Sequence, residues 1–214
     1  MPVKLLSELR WLGHDSFLLE GPPIIYFDPW RLGKGLPTAD LVLVSHEHGD
    51  HCSPQDVKLV SGPHTVIVAN ETAAAQLSGD VRVMRPGDEC VVGEVAIKAV
   101  PAYNITKFRS PGVPFHPQSA LHNGYVVTTG GECIYFAGDT DHIPEMSEIE
   151  CDIALLPVSG TYVMTAEEAA QAAQAIKPQV AVPMHYGAGV VGTADDAERF
   201  KALYGGEVVV FTSR

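Results

Sequence analysis

Cysteine is scarce in this chain and scattered. Cys52, Cys90, Cys133 and Cys151 form no C-x-x-C pair and lie far apart, which suits reduced thiols rather than a disulfide framework. Positive charge is also short: 14 Lys and Arg stand against 26 Asp and Glu, a net charge of −12. A surface that acidic repels phosphate backbones and anionic headgroups, so neither nucleic acid nor a membrane is expected as a partner. No apolar run approaches the roughly 18 residues that span a bilayer. The first eight residues lack the apolar core of a signal peptide, and a cytoplasmic location is expected. There is no G-x-S-x-G, the nearest serine pattern being Val158-Ser159-Gly160, so no serine elbow is indicated. Linkers, low-complexity tracts and fixed-period repeats are missing too. What remains, at 46% apolar and 19% charged over 214 residues, reads as one globular domain over residues 1–214.

Short apolar runs separated by turn residues fill that domain. Residues 24–27, 41–44, 65–68, 134–136, 153–156, 180–182 and 208–210 read as buried strands, and residues 90–102 as a strand pair around Gly93. Thr165-Ala166-Glu167-Glu168 is a capping box. It opens a helix with a small apolar face, Ala169, Ala172, Ala173 and Ile176, which Lys177-Pro178 stops. Ser53-Pro54-Gln55-Asp56 and Thr193-Ala194-Asp195-Asp196 open two more helices, and Asn70 opens a short one that closes near Gly79. Strands outnumber the scattered helices, so two packed sheets with helices on their outer faces are expected. Residues 104–123, with Pro111, Gly112, Pro114 and Pro117, read as a long loop. Loops of that length in a compact domain are more often functional than idle.

Directly after the run 41–44 comes His46-Glu47-His48-Gly49-Asp50-His51, which holds four metal-binding side chains in six residues. Alternate residues of an extended segment point the same way, so His46 and His48 can grip one ion. A turn at Gly49 then lets Asp50 and His51 face a neighbouring ion. Imidazole with carboxylate suits Zn²⁺ first and Mn²⁺ or Fe²⁺ next.

The run is followed in order by Gly138-Asp139-Thr140 and Pro183-Met184-His185-Tyr186-Gly187, each after an apolar run. Together they resemble the signature of the metallo-β-lactamase superfamily. Trp11-Leu12-Gly13-His14-Asp15-Ser16-Phe17 and Phe27-Asp28-Pro29 resemble its opening, so the likeness extends from about residue 9 to residue 211. In detail the chain looks most similar to small bacterial metal-dependent hydrolases related to ascorbate-6-phosphate lactonase and to the N-acyl-phosphatidylethanolamine phospholipase D group. The resemblance implies an α/β fold, a four-layer αββα sandwich of two mixed β-sheets with helices outside. It also implies a hydrolase with two divalent metal ions. His46, His48 and a third histidine would bind the first ion; Asp50, His51 and His185 would bind the second, and Asp139 would bridge both. A hydroxide shared by the ions would attack an ester, lactone or phosphoester, with Asp50 as the catalytic group that orients it.

For the third histidine, His116, His122 and His142 compete, with Tyr103 where some relatives carry a histidine. His116 stands at about the distance before Gly138-Asp139 that the superfamily favours. Asp28 reads as a group that orients the metal-binding loop, His14 as an outer donor or a packed core residue, and Cys52 as a packed thiol. Lys107 and Arg109 lie on the loop that would deliver His116, and read as a clamp for the phosphate or carboxylate of a small anionic substrate. The redox branch of the superfamily usually has a carboxylate where His48 stands, and normally an added flavin domain. The competing readings are therefore a metal-dependent phosphodiesterase or nuclease, and a non-catalytic metal-stabilised binding protein. A homo-oligomer is compatible with all of them.

Overall fold

In the computed structural model, which describes residues 3–212, the strands divide between two mixed six-stranded sheets. Met1 and Pro2, where the N-terminal reading begins, lie outside those residues. The first half of the chain builds one sheet from β1 (Leu9–Gly13), β2 (Ser16–Leu19), β3 (Ile25–Phe27), β4 (Ala39–Val44), β5 (Ser61–Ala69) and β6 (Asp80–Val83), in that spatial order. β1 to β3 run antiparallel and β3 to β6 parallel. The second half opens with β7 (Glu89–Val92) and β8 (Val95–Pro101), then passes through a small hairpin of β9 (Phe108–Ser110) and β10 (Val113–Pro114). It continues with β11 (Asn123–Thr129), β12 (Glu132–Phe136), β13 (Ile153–Pro157) and β14 (Val180–Met184), and its sheet has the order β14-β13-β12-β11-β8-β7.

Side-chain alternation decides which face each strand buries. Leu41 and Leu43 of β4 join Phe17, Ile25, Phe27 and Tyr125 in the core between the sheets. Val42 and Val44 point the other way, into a second cluster with Tyr26, Ile67 and Val57 and Val60 of α2 (Pro54–Val60). α2 and the single turn α3 (Glu71–Ala74) cover the first sheet, and α4 (Ala166–Ile176) and α5 (Ala194–Tyr204) cover the second. One more turn, α1 (Lys4–Glu8), precedes β1; the numbering of helices follows the chain. α4 forms as its cap predicts: the Glu168 N–H donates to the Thr165 hydroxyl, and the Thr165 N–H donates to the Glu168 carboxylate. Its buried alanines, Ala169, Ala172 and Ala173 among them, let it lie close against β13. The result is the four-layer αββα sandwich.

Some expectations need correction. Residues 208–210 form no full strand; Val208 makes one bridge to Ala181 at the outer edge of β14. β1, β2 and β6 are strands the sequence reading did not separate. β6 lies at a sheet edge, mostly exposed, and so carries no continuous apolar run. Residues 104–123 are a loop with internal order: the β9–β10 hairpin and a 3-10 turn over Gln118–Ala120.

Candidate metal centre

The segments leaving the C-terminal ends of β3, β4, β12 and β14 converge, the place where parallel strands of α/β folds present ligand-binding groups. Asp28 follows β3, His46 to His51 follow β4, Asp139 follows β12 and His185 follows β14. Close approach of the two sheets at this rim depends on Gly138, at φ +63°. A Cβ there would stand 3.0 Å from the Asn123 carbonyl oxygen and 3.2 Å from Ser45 Cβ. Three non-glycine residues of the site, His14 (φ 54°), Asp28 (φ 39°) and His185 (φ 63°), hold left-handed backbone. Such residues cost about 1–3 kcal/mol each and collect where a site dictates the backbone.

Two sets of donor atoms result. In the first, His46 Nε2 lies 3.0 Å from His48 Nδ1, His116 Nε2 lies 3.3 Å from the same atom, and His116 Nε2 lies 3.2 Å from Asp139 Oδ2. In the second, His51 Nε2 and His185 Nε2 each lie 3.3 Å from Asp139 Oδ1. Asp50 Oδ2 is 4.0 Å from His51 Nε2 and 3.2 Å from His14 Nε2. Asp139 thus turns one oxygen to each set.

Four of the buried imidazoles are oriented from behind. His51 Nδ1–H donates to Asp28 Oδ2 at 2.7 Å, and His116 Nδ1–H donates to Asn104 Oδ1 at 2.9 Å. The Asn104 amide is fixed in that sense, because the same oxygen accepts the His116 backbone N–H while its nitrogen donates to Asp141 and to the Tyr162 carbonyl. The Ser45 hydroxyl donates to Asp28 and therefore accepts from His46 Nδ1–H, 3.0 Å away; Ser159 Oγ lies 2.8 Å from His185 Nδ1. Protons held on Nδ1 leave the Nε2 lone pairs of His46, His51 and His116 facing inward, as metal-binding histidines require, and His185 Nε2 faces the same way toward Asp139.

The donor chemistry fits divalent ions. His51 Nε2, His185 Nε2, Asp139 Oδ1 and both Asp15 oxygens are buried without a hydrogen-bond partner. Leaving so many polar atoms unpaired is costly, and a cation among them satisfies all at once. Titration reflects the same crowding. Burial opposes charge on His185, but Asp139 and Asp15 outweigh it and raise its pKa to about 9. Burial opposes charge on His51 as well, and Asp139 and Asp28 override it and lift His51 well above the usual range. Burial would raise Asp139, yet His185, His51 and His116 hold it well below an ordinary aspartate. His116, dominated by burial, falls to about 4. Shifts this dense mark functional centres.

A cleft of about 280 Å³ opens onto the site, lined by His48, Asp50, Arg109, Phe115, His116, Asp139 and Tyr162. A larger hollow of about 460 Å³ between β8 and the turn at Pro144–Glu148 holds no group of metal-donor atoms, so the chemistry belongs to the smaller one.

His116, not His122, accompanies His46 and His48. His122 stacks on the His46 ring with its Nε2 3.2 Å from Glu47 Oε2, and the Tyr103 hydroxyl donates to Glu145. Arg109 lines the cleft. Lys107 does not face it as expected: its ammonium is taken up by Glu168, at 2.5 Å, and by Asp141, at 3.5 Å. Cys52 is buried, its thiol against the Ala73 carbonyl. The sequence reading missed Asn104, Ser45 and Ser159, whose partners are set by tertiary structure. It also passed over Asp15, whose one visible signal is a carboxylate amid the apolar residues Leu12 and Phe17.

Comparison with known proteins agrees with this geometry. The family described as beta-lactamase superfamily domain matches residues 8–185. A UPF0173 metal-dependent hydrolase from Pelotomaculum thermopropionicum is 34% identical, with 89% of each chain covered, and one from Thermococcus kodakarensis is 35% identical, with 96% of each covered. Among solved structures, a candidate metal-dependent hydrolase from Parabacteroides distasonis superposes with a TM-score of 0.81 at 35% identity, covering 94% of this chain and 91% of that one. A candidate Zn-dependent hydrolase of the metallo-β-lactamase superfamily from Thermotoga maritima gives 0.65 at 26% identity, covering 94% and 96%.

Proposed function

This chain belongs to the UPF0173 metal-dependent hydrolases of the metallo-β-lactamase superfamily, and on that basis we propose that it hydrolyses an ester, lactone or phosphoester of a small anionic substrate at a pair of divalent metal ions. His46, His48 and His116 would hold the first ion, and Asp50, His51 and His185 the second, with Asp139 between the two positions. Zn²⁺ is the first choice for such imidazole and carboxylate donors, with Mn²⁺ or Fe²⁺ next. The observation that carries this reading is Asp139, whose two oxygens face separate groups of inward-pointing imidazoles 3.2–3.3 Å away.

When bound, such a pair of ions supplies a water ionised near neutral pH and a Lewis acid at the acceptor oxygen. The chain's own residues orient the reaction. Burial would raise the Asp50 acid, but the hydrogen bond from His14 and the charge of His51 hold it well below the usual carboxylate range. Ionised and partly exposed in the cleft, Asp50 accepts a hydrogen bond from the attacking water and sets its direction. Phe115 and Tyr162, packed edge to face with ring centres 4.8 Å apart, line the cleft as its apolar wall.

Arg109 is the anion clamp. The resemblance to lactonases of phosphorylated sugars supports an anionic substrate, and Arg109 is the cation among the residues lining the cleft. Its substitution Arg109→Ala is expected to raise KM for an anionic substrate by roughly 10-fold or more, as loss of a charge-assisted pair does. kcat and the kinetics of a neutral analogue should change little, because a remote clamp contributes uniform binding. Small, equal effects on both substrates would leave Arg109 as a surface charge.

The overall test is metal analysis together with a panel of lactones, phosphodiesters and thioesters assayed with Zn²⁺ and with Mn²⁺. Two ions per chain with turnover of one class supports the proposal; a fully loaded protein that turns over none would make it a binding protein. The third ligand has its own test. His116→Ala is expected to weaken the first ion by at least tenfold while the second remains, whereas His122→Ala should keep both ions and lower only thermal stability. Metal titration of the two variants reads the difference, and a swap of outcomes would reassign the ligand.

A further inference from the structure

We infer that Asp15 is a further ligand of the second ion, which makes that position richer in carboxylate than the first. The inference rests on the two-ion reading above. Asp15 sits in the turn between β1 and β2 with none of its surface exposed. Neither carboxylate oxygen accepts a hydrogen bond. Oδ2 instead faces three ring nitrogens: His14 Nε2 at 3.4 Å, His51 Nε2 at 3.7 Å and His185 Nε2 at 3.8 Å.

None of the three gives the carboxylate a hydrogen bond. His51 keeps its proton on Nδ1 for Asp28, and His185 presents Nδ1 to Ser159. With both rings neutral, as metal binding requires, their Nε2 lone pairs face the carboxylate and repel it. His14 Nε2 lies nearer to Asp50 Oδ2, at 3.2 Å, than to Asp15. A cation between the groups turns repulsion into coordination. Five ligands at about 2.0–2.2 Å from one ion stand about 2.8–4.4 Å from one another, and the separations here run from 3.3 Å for Asp139 Oδ1 through 3.8 Å for Asp15 to 4.0 Å for Asp50.

The turn is held where it can serve this purpose. The His14 carbonyl accepts both Trp11 Nε1–H at 2.8 Å and the His185 backbone N–H at 3.1 Å. Trp11 in turn stacks on Tyr186, ring centres 4.8 Å apart. The segment carrying Asp15 is thus pinned to the segment carrying His185 from both sides. With Asp15 added, the second ion has three carboxylates and two imidazoles, against three imidazoles and one carboxylate for the first. Oxygen-rich positions suit harder ions, so Mn²⁺ or Fe²⁺ competes better with Zn²⁺ at the second position than at the first.

The test is equilibrium metal binding, with Zn²⁺ alone and with Mn²⁺ alone, to wild type, Asp15→Asn and Asp15→Ser, together with the Tm of each protein after chelation. Both substitutions are expected to leave the first ion unchanged and to weaken the second at least tenfold. Wild-type affinity for both ions in Asp15→Asn overturns the inference, and a lowered Tm beside it marks Asp15 as a structural group. A wild-type protein that takes only one ion overturns the two-ion reading instead. In that case, loss of the single ion in Asp15→Asn keeps Asp15 as a ligand, and its retention sinks the assignment.

Discussion

Chelating both ions is expected to lower the Tm of the protein by roughly 10–20 °C. An ion present at a thousandfold excess over its Kd stabilises the folded state by about 4 kcal/mol. In a chain of this size about 1 kcal/mol moves Tm by roughly 2–4 °C, so two ions would reach beyond that range if the emptied site offered nothing in return. It does offer something: His51 and His185 take up protons against Asp139. That compensation has a direction in pH. The pKa of His185, raised in the folded protein to about 9, contributes stability that is complete below its unfolded value of about 6.5 and is lost as pH rises through the folded one. The gap in Tm between loaded and chelated protein should therefore widen from pH 6.5 to pH 9. Differential scanning fluorimetry with and without chelator at the two ends reads it directly, and a Tm indifferent to chelation would leave the donor cluster without its ions.

Asp139→Ala is expected to remove at least one ion and to reduce kcat/KM by about 1000-fold or more, equivalent to about 4 kcal/mol. Asp139 Oδ1 lies 3.3 Å from His51 and His185, and Oδ2 lies 3.2 Å from His116. Its loss removes a ligand from both positions, together with the group that sets their separation. It also takes away the main counter-charge of His51 and His185, leaving Asp28 and Asp15, so proton uptake rescues the emptied site less well. Metal analysis beside kinetics in excess Zn²⁺ distinguishes the outcomes. Full activity in the metal-replete variant would rule out the binuclear mechanism.

How much of this was legible before the structure depends on how local each feature is. The strand β4 and the donor run after it are neighbours in sequence, so an apolar run followed by alternating imidazoles announces both. α4 was equally plain, because a capping box and its stop lie within a few residues of the helix they delimit. β6 and the pair β1 and β2 were not, since edge and short strands carry little apolar period of their own. The groups behind the imidazoles were invisible for a different reason. Asn104 stands 12 residues from His116 and Ser159 stands 26 from His185, and nothing in an isolated asparagine or serine says which ring it will meet. Lys107 shows the limit of a charge argument: a cation on a loop in an acidic protein found carboxylates of that protein, Glu168 and Asp141, before any substrate.

The donors divide between the two sheets, His46 to His51 after β4 of one and Asp139 and His185 after β12 and β14 of the other. The centre exists only once the second sheet has docked, late in a chain whose pairings are mostly distant in sequence. If that docking follows the transition state, a bound ion is expected to do little for the rate at which the protein folds. Its free energy falls on the reverse step. Interactions absent from the transition state slow unfolding almost one for one, so the metal would act mainly as a kinetic lock: the loaded protein is expected to refold no faster than the stripped one and to come apart far more slowly.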